Sequence, residues 1–282
     1  MRPRTVCVTG GTGFLGSWCV KLLLERGYNV RATTRDADKA AYLRKLPKAE
    51  TNLSIISGVE LLAPGAFSSA FEDCDAVLHT ASPYVLKGAS RDELVAPAVE
   101  GTRSVLSTCS ALGISKVVLT SSITSLNATY GSQPADHVYA EGDWLSEDFL
   151  ESREAWYPLA KLLAEKAAWE ASGQPGCPWQ LAVMLPTQIF GPMLEGQPHL
   201  NTSSGAPSRD REGTIESPAL AVPEPIKPYR LPQLLNRRGH AIASCADQVR
   251  WLPLSMAAFP SSPMRTSPAS TCVMSPRRTC EP

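Results

Sequence analysis

Short runs of apolar, mostly β-branched residues alternate with amphipathic stretches through the first two hundred residues of the chain. The apolar runs predict six strands, at 5–9, 29–34, 53–57, 76–80, 116–121 and 180–185. Segments 14–26 and 95–112 have helical periodicity, and Gly27 and Gly113 follow them where a helix C-cap favours glycine. Strands that alternate with helices in this way pair in parallel through right-handed crossovers. The sequence therefore predicts an α/β fold with a doubly wound parallel sheet.

The character of the sequence changes after about residue 204. Residues 205–282 contain half of the 24 prolines, and only 231–235 and 249–259 are dense in apolar side chains. Proline interrupts both helices and central strands. We therefore expect a folded domain over residues 1–204 and a largely irregular tail over residues 205–282.

Charge and composition argue against several kinds of partner. The 27 lysines and arginines balance 27 acidic residues and form no basic stripe, so neither nucleic acid nor a membrane surface is expected to bind. No stretch has the length of a membrane span, and the N-terminus has no secretory apolar region. The eight cysteines form no CxxC pair and no metal-ligand spacing with the four histidines. We expect a cytoplasmic protein with reduced thiols and no metal.

A glycine-rich loop, TGGTGFLG, lies between the first predicted strand and the first helix. Gly10 permits a tight turn, Gly13 lets the backbone approach a pyrophosphate, and Gly16 lets the helix pack closely on the strand. The helix N-terminus adds N–H donors and a partial positive charge. The loop therefore predicts a dinucleotide site formed by Gly10, Thr12, Gly13, Phe14, Leu15 and Gly16.

The end of the second predicted strand bears on the choice between the two nicotinamide cofactors. An acidic residue there accepts the ribose hydroxyls of NAD, whereas this chain has Arg35 after two threonines. The planar guanidinium of Arg35 can pair with a 2′-phosphate, with Lys39 as a second contact, which favours NADP(H) over NAD(H). The alternative is that Arg35 is a solvated side chain beside Asp36.

Three further strand ends supply candidate cofactor or substrate contacts, because ligands bind at the carboxyl ends of parallel strands. Glu60, followed by Leu61, is placed to accept from an adenine amino group, and a plain surface carboxylate is the alternative. Thr80, Ala81 and Ser82 follow the fourth strand. Ser122 follows the fifth and could orient a substrate carbonyl, although serine also ends strands for ordinary turn reasons.

Tyr157 and Lys161 are four residues apart in YPLAK, so on a helix they share one face. A phenol has an ordinary pKa of about 10, and a nearby ammonium lowers that pKa by favouring the phenolate. The tyrosine can then give a proton to a carbonyl oxygen or take one from an alcohol. Taken alone, this spacing is common in proteins. The glycine loop and Ser122, which precede it in the chain, support its interpretation as a catalytic pair.

These motifs, taken in order, resemble the extended short-chain dehydrogenases/reductases of the NAD-dependent epimerase/dehydratase superfamily. Within them the chain is similar to the group that includes dihydroflavonol 4-reductase and cinnamoyl-CoA reductase. The resemblance covers residues 1 to about 204 and is carried by VTGGTGFLGS, VRATTRD, VLHTASP, PAVEGT, VLTSS, YPLAKLLAEKAAW, LPTQIFGP and LNTSS.

The resemblance implies a Rossmann-type reductase with a catalytic triad of Ser122, Tyr157 and Lys161. Ser122 then polarises the carbonyl, Tyr157 is the acid/base, and Lys161 lowers the pKa of Tyr157 and binds the nicotinamide ribose. Pro186 and Thr187 match the segment beside the nicotinamide. Residues 80–82 match the strand end that lies along the cofactor.

The tail departs from this family, in which a small lobe follows LNTSS and closes the substrate pocket. The break is abrupt, which is more typical of a changed reading frame, a retained intron or an alternative exon than of gradual divergence. Three functions therefore stay open: an NADP(H)-dependent reductase of a small aldehyde, ketone or dihydroflavonol-like carbonyl, a nucleotide-binding remnant with little turnover, and a nucleotide-sugar epimerase or dehydratase. HTASP and LNTSS argue against the third. The substrate and the oligomeric state are not fixed by the sequence.

Overall fold

A computed structural model describes residues 4–82, 90–126, 137, 139–140, 142–187, 189 and 192–198, and the backbone of 208–209 and 215–216. Six strands form one parallel sheet: β1 (Thr5–Thr9), β2 (Asn29–Thr33), β3 (Leu53–Ile56), β4 (Ala76–His79), β5 (Lys116–Thr120) and β6 (Gln180–Met184). Their order is β3-β2-β1-β4-β5-β6, which is the Rossmann order. The predicted doubly wound sheet is confirmed. Each predicted strand begins at the observed residue and ends at most one residue beyond the observed end.

Within the described residues, six α-helices accompany the sheet: α1 (Phe14–Glu25), α2 (Ala49–Asn52), α3 (Ser68–Phe71), α4 (Arg91–Ala111), α5 (Glu147–Ser152) and α6 (Trp156–Ser172). Short 3-10 helices lie at Asp38–Lys45 and Ile123–Ser125. Helix α4 begins four residues before the predicted start at 95, because Ser90 and Glu93 form a capping box. The Glu93 N–H donates to the Ser90 hydroxyl, and the Ser90 N–H donates to the Glu93 carboxylate at 2.8 Å.

Alternation along the strands fills a core layer on each face of the sheet. Val6 and Val8 of β1 face one layer with Leu23 of α1, whereas Cys7 faces the other layer with Phe71. A third apolar cluster joins helices α4 and α6 through buried residues that include Leu94, Val95, Leu159 and Leu162. That packing holds α6 against α4, and Ala168 of α6 joins the core layer on one face of the sheet.

Five cysteines of the described part are free thiols, and four of them are buried. Burial raises the pKa of Cys7 and Cys109, and it raises the pKa of Cys74 to about 11, so these thiols are held in their unreactive form. Within the same residues no cluster of three or more metal-ligating side chains occurs. Helices that are both long and apolar enough to cross a bilayer are also absent there.

The predicted tail lies outside the described residues except for two short strands. Strand β7 (Ser208–Arg209) pairs antiparallel with β8 (Ile215–Glu216). The apolar segments at 231–235 and 249–259 fall outside the described part of the chain.

Candidate active site

The glycine loop connects β1 to α1 through a tight turn. Gly10 has φ +64, which favours glycine, and the Gly13 N–H donates to the Gly10 carbonyl at 2.9 Å. A Cβ on Gly16 would overlap the carbonyl oxygen of Gly10. The first turn of α1 therefore packs directly against the turn, as the sequence predicts for a dinucleotide loop.

The end of β2 holds the loop from one side. The Gly10 N–H donates to the Thr33 hydroxyl at 3.2 Å, and the Gly11 N–H donates to the Thr33 carbonyl at 2.9 Å. Arg35 follows two residues later and is exposed, as is Lys39, whose ammonium lies 4.0 Å from the Asp36 carboxylate. The guanidinium is thus available at the edge of the loop, where a 2′-phosphate contact is predicted.

The predicted adenine contacts lie after β3. Glu60 is exposed, whereas Leu61 is partly buried. A Cβ on Gly101 of α4 would lie 2.6 Å from the Leu61 side chain, so Leu61 already has a packing role.

The end of β4 lies directly against the glycine loop, which brings two predicted groups together. The Thr80 hydroxyl donates to the Thr9 carbonyl at 2.6 Å, and the Ala81 N–H donates to the Thr9 hydroxyl at 3.2 Å. Ser82 is next along the chain and partly buried. The Nδ1 atom of His79 lies 2.8 Å from the Thr9 hydroxyl oxygen, and burial lowers the pKa of His79 to about 3. The imidazole is therefore neutral, and its tautomer decides which partner donates in the hydrogen bond with Thr9.

Ser122 caps the 3-10 helix after β5 and is buried. Its hydroxyl oxygen accepts from the Thr124 hydroxyl at 3.0 Å and from the Thr124 N–H at 3.3 Å. The next residue, Ile123, donates its N–H to the Pro186 carbonyl at 3.0 Å. This bond brings the predicted catalytic serine beside the predicted nicotinamide segment, where Pro186 is buried and Thr187 is exposed.

Tyr157 lies in the first turn of α6, where the following Pro158 is tolerated because its missing N–H has no helical partner. Lys161 follows one turn later, and its ammonium lies 5.9 Å from the centre of the Tyr157 ring. The Lys161 ammonium also donates to the Thr120 carbonyl at 3.3 Å. Burial lowers the pKa of Lys161 to about 8, and the negative charge of Glu165 opposes that shift.

Glu165 is a buried carboxylate that the sequence prediction missed. One of its oxygens accepts from the Ser121 hydroxyl at 2.6 Å and from the Ser125 hydroxyl at 2.9 Å. These serines flank Ser122, so Glu165 joins helix α6 to the turn that carries the predicted catalytic serine. Its spacing of four from Lys161 continues the Tyr157 pattern, and that pattern could have revealed it.

A small cavity lies beside Lys161, between the strand ends and helices α4 and α6. Its lining is largely polar and includes His79, Ser82, Thr102, Ser121, Lys161 and Glu165. The predicted catalytic lysine and the strand end that is predicted to lie along the cofactor therefore line the same cavity.

A model of the NAD dependent epimerase/dehydratase family matches residues 6–207. The chain belongs to this family. It is 40% identical over 200 residues to a dihydroflavonol 4-reductase of Gerbera hybrida, a match that covers 68% of this chain and 53% of that protein. It is 39% identical over 209 residues to the cinnamoyl-CoA reductase CAD2 of Medicago truncatula, covering 72% of this chain and 62% of that protein.

Solved structures of reductases have the same fold as this epimerase/dehydratase family member. The NADPH complex of Gre2 from Candida albicans matches with a TM-score of 0.65 and 34% identity, covering 72% of this chain and 64% of that one. Vestitone reductase from alfalfa matches with a TM-score of 0.59 and 34% identity, covering 67% and 58%. The chain thus spans between about half and two thirds of the length of these relatives.

Proposed function

We propose that this chain is an NADP(H)-dependent oxidoreductase that reduces the carbonyl of a small aldehyde, ketone or dihydroflavonol-like molecule. The observation that carries the proposal is the buried Lys161, which lies one helical turn from Tyr157 and donates to the Thr120 carbonyl at 3.3 Å. The names of its relatives, dihydroflavonol 4-reductase and cinnamoyl-CoA reductase, support a carbonyl substrate. The NADPH bound to Gre2 supports the choice of cofactor.

The residues of the glycine loop fit a dinucleotide, because the left-handed Gly10 and the close contact at Gly16 bring a helix N-terminus to the surface of the turn. In the proposed site the loop binds the pyrophosphate and Arg35 pairs with the 2′-phosphate. Bound NADPH supplies the hydride for the carbonyl carbon.

The catalytic residues of this chain handle the proton. Ser122 donates a hydrogen bond to the substrate carbonyl and holds it toward Tyr157. Tyr157 gives its proton to the carbonyl oxygen, so that the products are the alcohol and NADP⁺. The Lys161 ammonium stabilises the phenolate that remains until a proton from solvent replaces the one transferred.

The test is NADPH oxidation with a panel of aldehydes and ketones, comparing the wild type with Tyr157→Phe. We expect the variant to bind NADPH normally by fluorescence titration and to lose about 100-fold or more in kcat. Equal rates for the two proteins would show that Tyr157 is not the acid. Substrate conversion without consumption of NADPH would instead favour epimerisation or dehydration.

A second candidate is a nucleotide-binding protein with little turnover. It is favoured by the match to the curated relatives, which covers 53% of one and 62% of the other. Contacts that position a substrate contribute several powers of ten to rate, so a triad without them would be nearly idle. NADPH binding without activity on any carbonyl would support this candidate.

We also propose that residues 1–204 form the nucleotide-binding domain and that residues 205–282 form a separate tail. The end of the family match at residue 207 supports this boundary. Limited proteolysis should trim the chain back to about residue 204 while NADPH binding survives. Protection of the tail, or loss of binding on trimming, would overturn the division.

A further inference from the structure

Residues 192–198, which we call the strap, lie across helix α1 and the 3-10 helix at Asp38–Lys45. The strap is attached at several points. The Trp18 indole N–H donates to the Pro192 carbonyl at 3.0 Å, and Leu194 is buried in the core layer that α1 shares. Gly196 has φ +75, and a Cβ there would lie 3.3 Å from the Cβ of Tyr42. The strap is thus fitted to the side of the molecule that carries the glycine loop.

Gln197 is the one buried polar side chain of the strap among its described residues. Its amide oxygen accepts from the Leu194 N–H at 3.0 Å, which closes the strap on itself. Its amide nitrogen donates to the Ser17 hydroxyl at 2.9 Å and to the Tyr42 hydroxyl at 3.3 Å. Both protons of the amide therefore point toward α1 and the 3-10 helix.

Each of these hydroxyls in turn donates a hydrogen bond to a carbonyl of the glycine loop. Ser17 donates to the Phe14 carbonyl at 2.9 Å, and Tyr42 donates to the Thr12 carbonyl at 3.1 Å. Burial raises the pKa of Tyr42, so its hydroxyl stays protonated and remains a donor. Two hydrogen-bond chains thus run from one amide group to the loop. The Gln197 nitrogen also lies 3.5 Å from the Gly13 carbonyl, between the two chain ends.

Holding these carbonyls has a consequence for anion binding. A peptide group is planar, so a carbonyl held in one direction fixes the N–H of the next residue in the opposite direction. The Thr12 carbonyl thus fixes the Gly13 N–H, which closes the turn on the Gly10 carbonyl at 2.9 Å, and the Phe14 carbonyl fixes the N–H of the next residue at the start of α1. Backbone N–H groups at the start of a helix are the donors that bind a pyrophosphate. A loop whose peptide groups are already oriented loses less entropy when the ligand binds.

We propose that Gln197 is a positioning residue for the dinucleotide, and that docking of the strap and binding of NADPH stabilise each other through the two hydrogen-bond chains. The inference rests on the proposed binding of NADPH at the glycine loop, and it extends that site to a residue 180 positions beyond Ser17. Coupling of this kind is reciprocal, so NADPH must also hold the strap in place.

The test compares Gln197→Leu, which removes both chains, with Tyr42→Phe and Ser17→Ala, which remove one each. We expect the Kd for NADPH, measured by fluorescence titration, to rise about tenfold in Gln197→Leu and about threefold in each of the other two. The matched control is Gln174→Leu, at an exposed glutamine beyond the end of α6, which should leave the Kd within a factor of two. Saturating NADPH should restore the wild-type kcat in all of them.

Two further measurements separate positioning from a plain contribution to folding. Adenosine 2′-monophosphate has no pyrophosphate, so its affinity should be the same in the wild type and in Gln197→Leu. NADPH should slow proteolytic cleavage within residues 192–198 of the wild type but not of the variant.

A lower unfolding temperature with an unchanged Kd would overturn the proposal and leave Gln197 a structural anchor. Equal weakening of both ligands would overturn it as well. If the wild type binds no NADPH at all, the proposed function fails, and with it this inference. If the wild type binds NADPH and all variants have the same Kd, the proposed role of Gln197 is overturned while the proposed function stands.

Discussion

The ammonium nitrogen of Lys161 lies 3.3 Å from the carbonyl oxygen of Thr120, the last residue of β5. This contact joins the helix that carries Tyr157 to the strand end that leads to Ser122. It also keeps a charged group in a buried position, where its pKa falls to about 8. The position of Lys161 therefore affects both the stability of the protein and the proposed chemistry.

The buried Lys161 should make the NADPH-free protein more stable as the pH rises from about 8 toward 10. In the unfolded chain the lysine keeps its proton until a pH of about 10.4, whereas in the folded protein its pKa is about 8. Between these values the unfolded state binds more protons, so the free energy of unfolding increases with pH. Urea unfolding from pH 7.5 to 10 should show this slope in the wild type and a weaker slope in Lys161→Met.

The exposed Lys45 provides a control for this measurement, because Lys45→Met changes the same charge without a buried site. An equal loss of slope in the two variants would show that burial of Lys161 is not the cause.

Glu165→Gln should move the alkaline limit of turnover to lower pH. The Glu165 carboxylate raises the pKa of Lys161 against the effect of burial, so removing its charge lowers that pKa further. The proposed mechanism needs the ammonium, and kcat should therefore fall at a lower pH than in the wild type.

The control for this prediction is Glu170→Gln, which makes the same change at an exposed position of the same helix. The measurement is a pH profile of kcat at saturating NADPH. Superimposable alkaline limbs for the wild type and Glu165→Gln would contradict the prediction.

Gly16→Ala should weaken NADPH binding, because the added methyl group overlaps the Gly10 carbonyl and must push the turn away from α1. We expect the Kd to rise by about tenfold or more, which corresponds to about 1.4 kcal/mol of lost binding free energy. Gly142→Ala is a suitable control, since a Cβ at Gly142 meets open space. Tight binding by Gly16→Ala would mean that the pyrophosphate does not depend on this turn.

Arg35→Ala should reduce the preference for NADPH over NADH. A charge-assisted hydrogen bond contributes about 1.5–3 kcal/mol, so we expect the KM for NADPH to rise about tenfold or more while the KM for NADH stays the same. Lys39→Ala should have a smaller effect in the same direction, because Asp36 lies near its ammonium. A parallel change for both cofactors would remove Arg35 from the 2′-phosphate site.

The sequence predicts the strands well because each is a short run that contains apolar residues and soon meets glycine, proline or polar residues. The start of α4 escaped prediction because the capping pair, Ser90 and Glu93, precedes the first periodic apolar residues. The proposed triad could be predicted because its members stand in recognisable local strings. The proposed role of Gln197 could not be predicted, since it depends on contacts with side chains 155 and 180 positions earlier, which no local pattern indicates.

The attachment of the strap to helix α1 fixes the position of residue 198 relative to the glycine loop. Pro192 and Gln197 bind to Trp18 and Ser17 of the helix that follows the glycine loop. In general, a segment tethered at such a point has a higher local concentration near the proposed dinucleotide site than the same segment free in solution. Position 198 is therefore a junction at which a substrate-binding lobe could be grafted onto the proposed nucleotide-binding domain.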